Sequence, residues 1–214
     1  MQLTAEASFF AVLILILSVI IHEVAHGYAA NALGDPTPRL AGRLTLNPLA
    51  HIDPIGSVLI PIFLILTNAG ILFGWAKPVP YNPYNLKNQR WGELLVAAAG
   101  PLSNLLIAGV FAIFARVAVA YALPTAAISF AELIVFANLF LGLFNMIPIP
   151  PFDGYGVITG ALPYRYAASL RTFEQRVRAW GPLGLLAVLF IFVMVLSGPF
   201  YAFVLWIFRL LIGG

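Results

Sequence analysis

"VIIHEVAHGY", Val19 to Tyr28, places two histidines and a glutamate directly after "FFAVLILILS", Phe9 to Ser18. The upstream run is wholly apolar, and the combined segment 8–33 exceeds the ~20 residues that a helix needs to cross a bilayer. Gly34, Pro36 and Pro38 end it. His22 and His26 stand one helical turn apart, so both imidazoles leave the same face and reach one ion. Glu23 lies beside them, close enough to take a proton from a water on that ion. Each ionisable group at mid-bilayer costs roughly 2.5–3.5 kcal/mol, so this trio needs something to offset the penalty. A zinc ion in a wet internal cavity, holding neutral imidazoles, does so. The plainer reading has the histidines hydrogen-bonded across helices with Glu23 as partner. It suits a soluble core better than a lipid-facing one.

The rest of the chain agrees with a membrane setting. Of 214 residues, 62% are hydrophobic and 9% charged, against about a quarter charged in soluble domains. Further apolar segments cover 55–73, interrupted by "TNAG" at 67–70, then 91–123, 125–146, 183–196 and 200–211. The expected fold is an all-α polytopic membrane protein with about five to six membrane-embedded helices. Residues 1–214 read as one unit, with a core at about 8–160 and accessory helices at about 181–212. "GRLTLN", 42–47, alternates as a short strand does. Segment 163–180 spaces Tyr166, Leu170, Phe173, Val177 and Trp180 as one apolar stripe opposite arginines, the pattern of a helix lying on a membrane surface.

The net charge of +3 and pI near 9.4 do not indicate nucleic acid, because the basic residues are scattered over loops. They set orientation instead. Arg39 and Arg43, then Lys77, Lys87 and Arg90, then Arg165, Arg171, Arg176 and Arg178 would all be cytoplasmic. Segment 55–73 must then enter and leave by one face, as a re-entrant hairpin with "TNAG" at its tip; a single span is the alternative. Cysteine is absent, which excludes thiolate metal sites. "MQLTAEAS" lacks the basic start of a secretory signal, so the first helix is expected to be retained.

A catalytic zinc usually has three protein ligands and one open position. The remaining candidates are His51 and the aspartates Asp35, Asp53 and Asp153. "NMIPIPPFDGYG", 145–156, breaks the end of a membrane helix with three prolines and then offers Asp153. A broken helix is one way to deliver a carboxylate to a buried site. Taken alone, a solvated Pro-rich turn explains it equally well; the histidine pair favours the ligand. His51, in a loop, reads as structural.

"HEVAH" in a first membrane helix, with Asn145-x-x-Pro148-x-x-Pro151-x-Asp153-Gly154 far downstream, resembles the site-2 protease family of intramembrane zinc metalloproteases. "AAAGPLSNLL", 97–106, is similar to the opening of that family's next core helix, and "GWAKPVPYNP" to its Pro-rich membrane-entering loop. The resemblance covers about 8–160. It implies one zinc held by His22, His26 and Asp153, with Glu23 shuttling the proton. It also implies Asn145 beside an unwound substrate backbone. Asn104 would support the site or the oxyanion, with an interhelical hydrogen bond as the alternative. The expected activity is hydrolysis of peptide bonds in or near transmembrane segments.

A helical substrate must unwind to be cut, and a strand edge in "GRLTLN" or "WAKPVP" would hold it by β-augmentation. The chain has the form expected of a member without an inserted PDZ or CBS module. Control would then fall to a regulatory membrane partner, to self-association as a homo-oligomer, to prior trimming of substrate, or to access. The expected setting is the lipid bilayer of a prokaryotic plasma membrane. Two other functions compete: a catalytically silent membrane protein that binds helical clients, and a metal transporter using the same three ligands. The intact Glu23 opposes the first, and the scarcity of ionisable groups on the other helices opposes the second.

Overall fold

A computed structural model describes residues 5–66, 75–88 and 91–213, and among them every regular element is helical. Helix α1 covers Ala5–Ala32 and is followed by a short α2 at Thr37–Leu40. After α3 (Ile60–Leu66) come two long helices, α4 (Gly92–Ala120) and α5 (Thr125–Asn145). Then follow α6 (Asp153–Ala161), α7 (Tyr164–Ala179), α8 (Pro182–Ile191) and α9 (Ser197–Ile212). Among the described residues, four helical runs are long and apolar enough to cross a bilayer: Phe9–Ala32, Gly92–Ala120, Thr125–Asn145 and Leu186–Ile212. These runs mark an integral membrane protein.

The expected separation of the last two apolar runs is corrected. The last two apolar runs are one continuous helix, although "SGP" at 197–199 reads as a break. The chain widens ahead of the proline instead. A π turn over Phe192–Leu196 sends the Ser197 N–H to the Phe192 carbonyl, five residues back, and feeds directly into α9. A π turn spreads the irregularity that a proline would otherwise concentrate at a kink.

No strand forms at 42–47 either. The Arg43 N–H turns back to the Pro38 carbonyl at 3.0 Å, and Asn47 caps a single helical turn at Pro48–His51. With no neighbouring strand to pair with, alternation alone does not make a sheet.

Helix α4 is the central post, packing against α1, α5, α6 and α9. Its buried side carries Ala108, Ala112, Ala115 and Ala118, spaced three or four apart. Small residues at that spacing let backbones approach closely, which is what holds helices together in lipid. Val135 and Leu139 of α5 meet Ala108 and Ala112 of this stripe, and Val204 of α9 closes the cluster. The opposite side of α4 exposes Leu102, Leu106, Val110, Ile113 and Val117, suited to acyl chains.

Segment 54–66 begins with Asp53 accepting from the N–H groups of Ile55 (3.0 Å) and Gly56 (2.6 Å). Where the description resumes, the Trp75 N–H donates to the Gly56 carbonyl at 3.2 Å and Ser57 Oγ donates to the Trp75 carbonyl at 2.8 Å. The expected tip, 67–70, lies outside the described residues. Helix α7 turns Tyr166 and Phe173 outward, Trp180 just past its end is exposed too, and its Arg171 pairs with Glu93 of α4.

Candidate metal centre

Three side chains from two distant elements converge. His22 and His26 project from α1, and Asp153 opens α6 after the Pro-rich turn. His22 Nε2 lies 2.9 Å from Asp153 Oδ2, His26 Nε2 lies 3.3 Å from the same oxygen, and the two Nε2 atoms are 3.1 Å apart. They are the group of His, Asp and Glu side chains placed to hold an ion among the described residues.

The outer nitrogens fix the chemistry of the inner ones. His26 Nδ1 is 2.7 Å from the Val96 carbonyl, which can only accept, so that nitrogen carries its proton. His22 Nδ1 is 2.6 Å from Asn104 Oδ1. The amide orientation is set by its other end, where Asn104 Nδ2 donates to Asn138 Oδ1 (3.0 Å) and to the Ser18 carbonyl (3.3 Å). In the neutral imidazoles both Nε2 atoms then present lone pairs, and Asp153 adds an oxygen. Three acceptors meet with no hydrogen among them. A cation resolves that repulsion. The separations approach the ~3.3 Å expected between two ligands about 2.0 Å from one tetrahedral zinc. The donor set, two imidazoles and a carboxylate, is also zinc's own preference.

Close backbone approach makes room for the centre. A Cβ on Gly100 of α4 would overlap His26 Nε2 and lie 2.7 Å from His22 Nε2. A Cβ on Gly154 would overlap the Met146 carbonyl, so the first turn of α6 can lie on the preceding turn only with glycine there. Phe152, beside Asp153, is edge-on to Phe144 with ring centroids 4.6 Å apart, tying the turn to α5.

The other expected residues have definite places. Glu23 is partly exposed, and its Oε2 accepts from the Val79 N–H at 3.0 Å. Asn104, 0% exposed, donates its amide hydrogens to Asn138 Oδ1 and to the Ser18 carbonyl, and its Oδ1 faces His22 Nδ1, the interhelical hydrogen bonding given above as the alternative. Asn145 ends α5 and donates to the Leu141 carbonyl of its own helix at 3.0 Å. His51 is buried with its Nε2 on the Thr45 carbonyl at 2.8 Å, a structural placement.

"WAKPVP" departs from the expected strand edge. The Lys77 N–H is taken by the His51 carbonyl (2.9 Å) and the Val79 N–H by Glu23, while Pro78 and Pro80 have none. No main-chain donor between 77 and 80 is spare for an added strand.

Asn138 was not anticipated. Its signal was legible: one amide within "VFANLFLGLF" is an expensive group on an apolar helix. Val96 and Gly100 act through a carbonyl and a missing Cβ, which composition does not register.

No family model matches the chain, and no solved structure matches it. Curated proteins do. The chain is 37% identical over 203 residues to "Putative zinc metalloprotease YwhC" of Bacillus subtilis (strain 168), covering 92% of this chain and 84% of that protein. It is 29% identical over 195 residues to "Putative zinc metalloprotease Rip2" of Mycolicibacterium smegmatis, covering 90% and 70%. The Mycobacterium tuberculosis (strain H37Rv) protein of the same name is 29% identical over 201 residues, covering 91% and 71%. With membrane helices, the convergent His-His-Asp group and this similarity along nearly its whole length, the chain belongs to the site-2 protease family of zinc metalloproteases.

Proposed function

We propose that the chain is an intramembrane zinc endopeptidase that hydrolyses peptide bonds in or near transmembrane segments. The observation that carries this reading is the convergence of His22, His26 and Asp153 beside Glu23 on an otherwise apolar helix. His22, His26 and Asp153 hold the zinc, one per chain. Zinc bound there supplies Lewis acidity, making water nucleophilic near neutral pH and polarising a carbonyl. Glu23 takes the proton as the water oxygen bonds to the scissile carbon, then delivers it to the departing amine as the C–N bond breaks. Asn104 and the Val96 carbonyl hold both imidazoles with Nε2 inward. Asn145, at the end of α5, meets the unwound substrate backbone in this reading.

Segment 55–73 is read as re-entrant. What supports this is the return of Trp75 to Gly56 and Ser57, since a span would separate its ends by ~30 Å. The basic loops then share the cytoplasmic side of a prokaryotic plasma membrane. Partners are a transmembrane-segment substrate and the lipid bilayer. Regulation falls to another membrane protein or to a homo-oligomer.

The test uses purified protein in detergent and a quenched fluorescent peptide containing one transmembrane helix. One zinc per chain and cleavage that disappears in Glu23→Gln, with zinc retained, are expected. Cleavage surviving in the variant overturns the proton-transfer role. Zinc without cleavage across a panel of such peptides favours the client-binding reading.

A further inference from the structure

Arg43 is 6% exposed, and among the described residues it is in no ion pair. Its Nη2 donates to the Lys77 carbonyl at 2.5 Å and stands 3.5 Å from His51 Nδ1, while its Nε has no hydrogen-bond partner. A buried guanidinium without a counter-charge is costly, so what it holds matters. It holds one peptide unit. The His51 carbonyl takes the Lys77 N–H at 2.9 Å, so residue 77 is clamped at both its donor and its acceptor.

Two residues further on, the Val79 N–H reaches Glu23 Oε2 at 3.0 Å. Pro78 and Pro80 flank it, each with a restricted φ and no N–H, so Val79 supplies the sole main-chain donor across 78–80. The Val79 side chain is buried, and it reaches α1 at Gly27, where an added Cβ would lie 3.0 Å from Val79 Cγ1. Downstream, the strap is pinned again. The Asn82 N–H donates to Asp35 Oδ2 at 2.6 Å, and the Lys87 N–H to the Leu33 carbonyl at 2.9 Å. Val79 is held from both sides.

We infer that the Val79 main-chain N–H orients the Glu23 carboxylate, and that Arg43 is a positioning residue acting through the clamped Lys77 carbonyl. Occupying Oε2 turns the carboxylate in one direction and leaves Oε1 for water. A strap that merely blocked Glu23 would cover both oxygens and bury the residue, whereas Glu23 stays partly exposed. The inference rests on the proposed role of Glu23 in proton transfer, and the test separates the two.

The first measurement needs no activity. In protein labelled with ¹⁵N-valine in micelles, the Val79 amide should exchange with solvent slowly in the wild type. It should exchange at least about tenfold faster in Glu23→Ala and in Arg43→Gln, with Arg43→Lys intermediate. Equal rates in wild type and Glu23→Ala overturn the inference whether or not the protein cleaves anything. The second replaces the Val79 peptide N–H by an ester oxygen and follows the quenched transmembrane peptide. The expected result is kcat lower by about tenfold to a hundredfold, with KM and zinc content unchanged. An unchanged kcat, or zinc lost in parallel, overturns it. A wild type that cuts no peptide refutes the endopeptidase reading instead, and the exchange rates still decide the strap.

Discussion

Asn104 reaches from α4 to α1, where its Oδ1 accepts a hydrogen bond from the His22 Nδ1–H across 2.6 Å. Its own amide hydrogens rest on Asn138 of α5 and on the Ser18 carbonyl. One side chain therefore joins three long helices at the depth of the metal ligands. It also fixes which His22 nitrogen faces Asp153.

Replacing Asn104 by alanine leaves the His22 Nδ1–H without its acceptor and frees the ring to rotate. Loss of such an outer partner typically weakens a metal about 10- to 100-fold. Competition with a chromophoric chelator should show zinc affinity falling within that range in Asn104→Ala. Unchanged affinity would mean that packing alone sets the imidazole.

Gly100→Ala is expected to abolish zinc binding, because the added methyl would occupy the space of both Nε2 atoms. Gly109, on the same helix, has nothing within 4 Å of an added Cβ. Gly109→Ala should then bind one zinc per chain and serve as the control for helix propensity. Metal content by atomic absorption distinguishes the pair.

Asp35 is 0% exposed beyond the end of α1 and accepts from the Thr37 N–H and hydroxyl, the Asn82 N–H and Asn85 Nδ2. Burial raises its carboxyl, but the hydrogen bonds from Thr37, Asn85 and Asn82 outweigh burial and hold it below the ordinary 3.8. A lowered folded value means that the stabilisation is fully present above the ordinary value and disappears as pH falls through the folded one. Asp35→Asn turns an amide donor toward donors, and each unsatisfied one costs roughly 1–3 kcal/mol. Thermal unfolding in micelles should show a lower midpoint at neutral pH, with the difference from wild type shrinking in acid. A constant difference down to strong acid would contradict this account.

Phe144 makes edge contacts with Phe152 (4.6 Å) and Phe192 (5.0 Å) and stacks on Phe140 (5.9 Å). Each such pair contributes about 0.5–1.5 kcal/mol beyond area. Phe144→Ala should lower stability toward denaturing detergent and also weaken zinc binding, since the turn holding Asp153 loses its anchor. Phe144→Leu should recover part of both. Zinc affinity equal to wild type in Phe144→Ala would show that the turn holds without the ring.

The sequence displayed the candidate ligands because charge in lipid is conspicuous. His22, Glu23 and His26 interrupt an apolar helix, and three prolines announce the turn before Asp153. Helices α4 and α5 were equally plain, since long apolar runs report their own length. What stayed hidden works through absence or through the main chain. Gly100 matters for the atom it lacks, Val96 for its carbonyl, Val79 for its N–H. The apolar runs 183–196 and 200–211 were expected to be separate, but a π turn over Phe192–Leu196 joins them. The expected strand at 42–47 had the right alternation and no partner.

The candidate ligands His22 and Asp153 lie 131 positions apart in the chain, and the two long helices between them, α4 and α5, form the wall against which they meet. During synthesis, a ribosome that has delivered α1 has released two imidazoles and no third ligand. The centre first becomes complete when the chain is past Asp153 and the intervening pair has docked. Docking of the bundle is therefore what brings the third donor to the first two.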